Sequence, residues 1–285
     1  MKEKETKLFN PVRVRNTSKL KSFLIGFFAF IFVFAVAGAF YISKNGTAEV
    51  DSIIKKVGGV FESKNTDDDT TAAYSNVKEN FLLMSISSAK TEETGEKDIY
   101  FMAVAHANAG TGKIKFLPIA PKQSYIDLYE EGGAEAVTKA VAKELNIKMD
   151  KYIASNENTF AIAVNYMGGF EYDLPERIEY RTPDLTLILT PGKQTIKGEV
   201  LIKYFKYLKN QSLKKQGEIL CLMIEEYFSQ GNFENAMTIY KGVLSGLSGE
   251  SNISFVEAAD NLKYVKTVID NKKVKAVTVS SVEEF

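Results

Sequence analysis

Ile99-Tyr100-Phe101-Met102-Ala103-Val104-Ala105 and Lys113-Ile114-Lys115-Phe116-Leu117-Pro118-Ile119 flank the turn residues Asn108-Ala109-Gly110-Thr111-Gly112. Both runs have strand length and composition, and a short Gly- and Asn-containing connection joins such runs as an antiparallel hairpin. Just upstream, Phe81-Leu82-Leu83-Met84 has the length of a buried strand. Downstream, Gly132-Gly133 is expected to open a helix on which Val137, Ala140, Val141 and Leu145 share a face. Tyr152-Ile153-Ala154 reads as a strand. Asn156 stands at the cap position of a helix carrying Phe160, Ala163, Val164 and Met167, which Gly168-Gly169 ends. Strands follow at 170–174 and 185–189, with a turn at Pro191-Gly192. Helices follow at 198–209, 215–228 and 233–244. Ser254-Phe255-Val256-Glu257 is a capping box before a last helix bearing Ala258, Leu262, Val265 and Ile269, and 274–279 is a closing strand. Strands and helices mix without a break in composition, so residues 80–285 read as a single mixed-sheet α/β/α domain.

The first 79 residues read differently. Residues 23–42 form an uncharged apolar run of 20 residues, enough for a transmembrane helix across a core about 30 Å thick. Residues 1–22 hold seven basic and two acidic side chains, the remainder 29 basic and 34 acidic. The positive-inside rule therefore places a basic tail in the cytoplasm and the domain outside, at the cell membrane. Ala35-Val36-Ala37 and Ala37-Gly38-Ala39 resemble signal-peptide cleavage sites, but the run is longer than a usual signal core. Residues 43–79, with Asn45-Gly46, Gly58-Gly59 and the acidic Asp67, Asp68 and Asp69, are expected to be a stalk. The acidic balance of the outer part argues against a nucleic-acid partner. One cysteine, Cys221, excludes an internal disulfide, and one histidine, His106, argues against a Ser/His triad or a His-based metal site. The four arginines are Arg13, Arg15, Arg177 and Arg181.

In this order the motifs resemble the LytR–CpsA–Psr family of cell-envelope proteins. The resemblance rests on Asn80 to Met84, Asp98 to Met102, Lys113 to Ile119, Pro121-Lys122-Gln123-Ser124, Gly132-Gly133, Leu145-Asn146-Ile147 with Asp150-Lys151-Tyr152, Gly168 to Pro175, Pro191 to Glu199 and Asn252-Ile253-Ser254. It implies an anchored domain that takes a glycopolymer from a polyprenyl pyrophosphate carrier to peptidoglycan. It also implies arginines that clamp the pyrophosphate and a carboxylate that holds Mg²⁺.

This chain departs from that pattern at the charged positions. Lys122 and Gln123 stand for the signature arginine and aspartate, and Ser85 and Ser87 for a glycine and an aspartate. Glu96, Lys206, Leu208, Ser212 and Lys215 occupy places where the family carries arginines. Lysine binds phosphate as a point charge and lacks the planar fork, so the exchange is not conservative. Under the resemblance Asp98 is the metal-holding and catalytic carboxylate, Lys122 the catalytic cation, and Gln123, Lys206 and Lys215 contact substrate. Arg177 and Arg181, expected in a loop, could replace part of the lost clamp. Two readings follow. One is a divergent envelope protein that binds, and transfers if active, a polyprenyl-(pyro)phosphate-linked glycopolymer. The other is a non-catalytic binding or scaffold member of the envelope assembly machinery.

Overall fold

The computed structural model describes residues 78–87, 97–108, 111–166, 168–229, 251–252 and 274–285. The basic tail, the apolar run 23–42, nearly all of the stalk, and the helices expected at 233–244 and after Ser254 lie outside the described residues. Among the described residues, no helix is long and apolar enough to cross a membrane.

Five strands form the central sheet: β1 (Lys78–Ile86), β2 (Ile99–Asn108), β3 (Lys113–Pro118), β4 (Lys151–Asn156) and β9 (Lys275–Thr278), in the order β4-β1-β2-β3-β9. The expected hairpin is present, with β2 antiparallel to β3 from Ala103↔Pro118 to Asn108↔Lys113. β1 runs antiparallel to β2 but parallel to β4, and β9 parallel to β3, so the sheet is mixed. β1 and β2 are buried at almost every position because helices cover both faces.

Helix α1 (Gln123–Leu145) lies on one face. Tyr125, Ala134, Val137 and Val141 pack there against Leu82, Met84 and Ile86 of β1 and Ile99, Met102 and Val104 of β2. Gly132-Gly133 opens a helical segment as expected, since Gly133 is non-helical at φ 66°, ψ −164°; what was not expected is a preceding segment from Gln123 that runs into it across this kink. On the other face lie α2 (Glu157–Tyr166), α3 (Gly198–Lys209) and α4 (Leu213–Ser229). Phe205 of α3 is the pivot of this layer, 5.3 Å from the Phe101 ring and 5.8 Å from Phe160. Gly198 opens α3 directly against the main chain of Ala161, where a Cβ would overlap backbone atoms.

Two small antiparallel pairs complete the domain. β5 (Phe170–Leu174) pairs with β8 (Gly192–Ile196), and β6 (Ile178–Arg181) with β7 (Thr186–Leu189). Neither β6 nor β8 was expected, and both show why. Each presents polar residues at alternate positions and buries little, so no apolar run marks it. At the far end of β2, the half-buried His106 donates through Nδ1 to Asn80 Oδ1 (2.8 Å) and stacks on Phe285 at 5.0 Å.

Candidate functional site

The carboxyl ends of β1 and β4, the start of β2 and the N-terminus of α2 meet at one edge of the sheet. Ligands of open α/β sheets gather at such strand ends. Here the apolar strands give way to hydroxyls. Ser85 and Ser155 are fully buried, and their Oγ atoms lie 2.7 Å apart. The register explains what faces them. Ser85 pairs with Phe101 and Ile86 with Ile99, so Tyr100 is an extra residue, a β-bulge. The buried Tyr100 phenol lies beside Ser85. Burial, foremost, and the Glu157 charge push its titration far above the ordinary value despite the Ser85 hydroxyl. It stays neutral at physiological pH and can donate a hydrogen bond but not act as a base.

Gln216, also fully buried, donates from Nε2 to the carbonyls of Tyr100 (3.0 Å) and Phe205 (2.6 Å) and leaves its Oε1 without a partner. It ties α4 and α3 to the bulge.

Two ion pairs adjoin this buried polar cluster. Asp98 is fixed by its main chain, since its N–H donates to Ser87 Oγ (2.8 Å) and its carbonyl accepts from the Ser87 N–H (2.7 Å). Its carboxylate bonds the Lys209 ammonium. Lys206, one turn earlier on α3, pairs with Glu157 at the start of α2 and lies 5.6 Å from the centroid of the Tyr100 ring. All four side chains are less than a third exposed, at 22–29%. The last turn of a helix favours cations, which suits Lys206 and Lys209 to this end of α3.

The remaining sequence candidates are distributed elsewhere. Lys122 turns onto α1, where it pairs with Glu144 and sits 5.5 Å from the Tyr125 ring, while Tyr125 donates to the same Glu144 at 2.6 Å. Gln123 donates to Asp127 at 3.0 Å. Lys215 lies 5.7 Å from the Tyr172 ring of β5 and pairs with Glu218 at 3.3 Å. Arg177 lies in the loop just before β6, as expected, whereas Arg181 is the last residue of β6; both are exposed and pair with Glu179. Of the predicted residues, Asp98 and Lys206 therefore share the strand-end site. Lys209, Glu157, Tyr100, Ser155 and Gln216 join them and were missed. The available signal was polarity at the ends of apolar strands, as in Ser85 and Ser155, and Lys209 three residues after Lys206.

The Mg²⁺ that the resemblance implies does not fit this donor set. Mg²⁺ asks for about six oxygen ligands, usually one or two carboxylates with substrate phosphates and waters. Asp98 offers one carboxylate, already bonded to an ammonium. Ser85 is committed to Ser155, and Ser87 to the main chain of Asp98. Among the described residues, no three His, Cys, Asp or Glu side chains come together.

A mixed α/β/α domain with a polar cluster at the strand ends is the class this geometry defines. The chain belongs to the LytR_cpsA_psr family, which matches residues 62–284. It is 26% identical over 130 residues to Biofilm regulatory protein A of Streptococcus mutans serotype c, covering 42% of this chain and 31% of that protein. The match thus spans about a third of this curated relative's length. Among solved structures, Bacillus subtilis TagV superposes with a TM-score of 0.50 at 18% identity, over 71% of this chain and 85% of that one. A LytR-Csp2A-Psr enzyme from Actinomyces oris superposes with a TM-score of 0.51 at 11% identity, over 73% and 83%. At these identities the superpositions speak to the fold.

Proposed function

We propose that this chain is a membrane-anchored envelope protein whose outer domain binds a polyprenyl-(pyro)phosphate-linked glycopolymer at the strand-end pocket. The observation that carries this reading is the pair of ammonium groups on one turn of α3, Lys206 at 5.6 Å from the Tyr100 ring and Lys209 on Asp98, at the end of the sheet where β1 and β4 carry the buried Ser85 and Ser155. Membership of the LytR_cpsA_psr family supports an envelope glycopolymer as the ligand. The apolar run 23–42 and its basic flank support the anchor, with the domain outside. A protease added to intact cells is expected to remove a tag fused after Phe285, and a tag that stays protected overturns the topology.

Binding without turnover is the form of the function the charges favour. Each of Lys122, Lys206, Lys209, Lys215, Arg177 and Arg181 already carries a carboxylate partner. The site also lacks the bidentate arginine fork, each donor of which is worth about 3 kcal/mol to a transition state of this kind. The second reading, transfer to peptidoglycan, is favoured by Asp98 at the strand end. Full-length chain in nanodiscs, lipid-linked glycan and peptidoglycan separate the two. Retention of the lipid-linked glycan with no glycan covalently joined to peptidoglycan is expected. Transfer that disappears in Lys206→Ala would establish the enzyme, and failure to retain the lipid-linked glycan would refute both readings.

A further inference from the structure

We propose that the strand-end pocket binds its anion without a divalent metal. The Lys209 ammonium supplies the positive charge at Asp98, and Asp98 serves as a positioning residue for Lys209 rather than as a metal ligand. The inference rests on the phosphate-binding reading above and deepens it.

Three observations carry it. First, the Asp98 backbone is clamped to Ser87 through both N–H and carbonyl, and its carboxylate is already engaged by Lys209. Second, Lys209 is the last residue of α3, where the partial negative charge of the helix end adds to that of Asp98. A Mg²⁺ ion at Asp98 would have to displace this ammonium and then sit beside it, where both side chains are about four-fifths shielded from water. Like charges repel more strongly where solvent screening is reduced in this way. Third, the second carboxylate that could help a metal, Glu157, is occupied by Lys206.

An ammonium has three donors and no acceptor. The bond to Asp98 uses one, and donors remain for a phosphate oxygen. Holding the long lysine side chain in one place beforehand removes an ordering cost from binding. Asp98 thereby converts a flexible surface cation into a fixed one. The ligand is a prenyl phosphate or pyrophosphate, recognised by its charged end.

Two measurements on the full-length chain in nanodiscs test this. Geranylgeranyl pyrophosphate binding is measured in EDTA and in millimolar Mg²⁺, and Mn²⁺ binding is followed by electron paramagnetic resonance. The wild-type chain is expected to bind the lipid equally, within about twofold, in both conditions. Lys209→Ala is expected to weaken binding about tenfold, the scale of one charge-assisted hydrogen bond. Lys209→Arg should restore it, and thermal melts should show both variants folded. No Mn²⁺ signal should depend on Asp98. Abolition of lipid binding by EDTA, or micromolar Mn²⁺ binding that vanishes in Asp98→Asn, overturns the proposal. If the lipid binds under no condition, the phosphate-binding reading fails. The Mn²⁺ measurement then decides the role of Asp98 by itself.

Discussion

His106 is the residue whose titration should be easiest to see. Burial chiefly, then Lys78 and Lys115, hold its imidazole below the ordinary 6.5, with Asp150 opposing. The unfolded chain therefore takes up the proton at higher pH than the folded one. Stability is fully present above about pH 6.5 and is lost as pH falls through the lower folded value. Melting temperature is expected to drop between pH 7 and pH 5, and His106→Gln, which keeps a donor for Asn80, should flatten that drop. Gly198→Ala is a second test at this scale. The added methyl meets the Ala161 backbone, which cannot move aside as a side chain can. Urea unfolding should show a loss of about 3 kcal/mol, the upper range for overpacking. Lys122→Ala tests the site assignment. Its exposed pair with Glu144 is worth about 0–1 kcal/mol, and neither stability nor lipid retention should change measurably. Single residues were also where the sequence was least legible. Lysine at 122 matched a family position, but only the path of α1 shows that Glu144 takes it.

Among the elements, those with their own apolar period were legible. Helix α3 spans 198–209 as its stripe of Val200, Leu201, Tyr204, Phe205 and Leu208 predicted, although Val200 is only half-buried. Helix α1 shows the limit of that signal. Its first segment fully buries only Tyr125, so the periodic residues after Gly133 marked the second segment while the first, from Gln123, was hidden. The two segments are stapled across the bend by Tyr125, which donates to Glu144 while Lys122 neutralises that carboxylate. Tyr125→Phe deletes one such bond. It is expected to cost about 1 kcal/mol, read by chemical denaturation, with no change at the strand-end pocket. Gln216 is the stronger staple, because its amide satisfies two carbonyls from different elements. Gln216→Leu should cost about 1–3 kcal/mol, since both carbonyls would lose the bond from its amide.

At the scale of the molecule, the mixed three-layer fold was readable because the core strands are short continuous apolar runs and the helices carry an apolar stripe at helical spacing. The pocket was only half readable. Asp98 and Lys206 were in view, whereas Glu157, Lys209 and Gln216 come from helices whose docking angles no local pattern records. The aromatic layer under the pocket holds it in shape. Phe205→Ala, which removes the ring shared by Phe101 and Phe160, should cost about 3–5 kcal/mol and lower the melting temperature of the whole domain. The extra residue at Tyr100 has a wider effect. Met102 and Val104 face α1, and by strict alternation so would Tyr100, with Ile99 on the opposite side and Asp98 again toward α1. The additional position flips that parity, so Ile99 joins the α1 layer and Asp98 is handed to Lys209. Excising a single amino acid from this strand would thus act as a frameshift in space. It would leave the upstream chain chemically intact while turning its acidic group inside out.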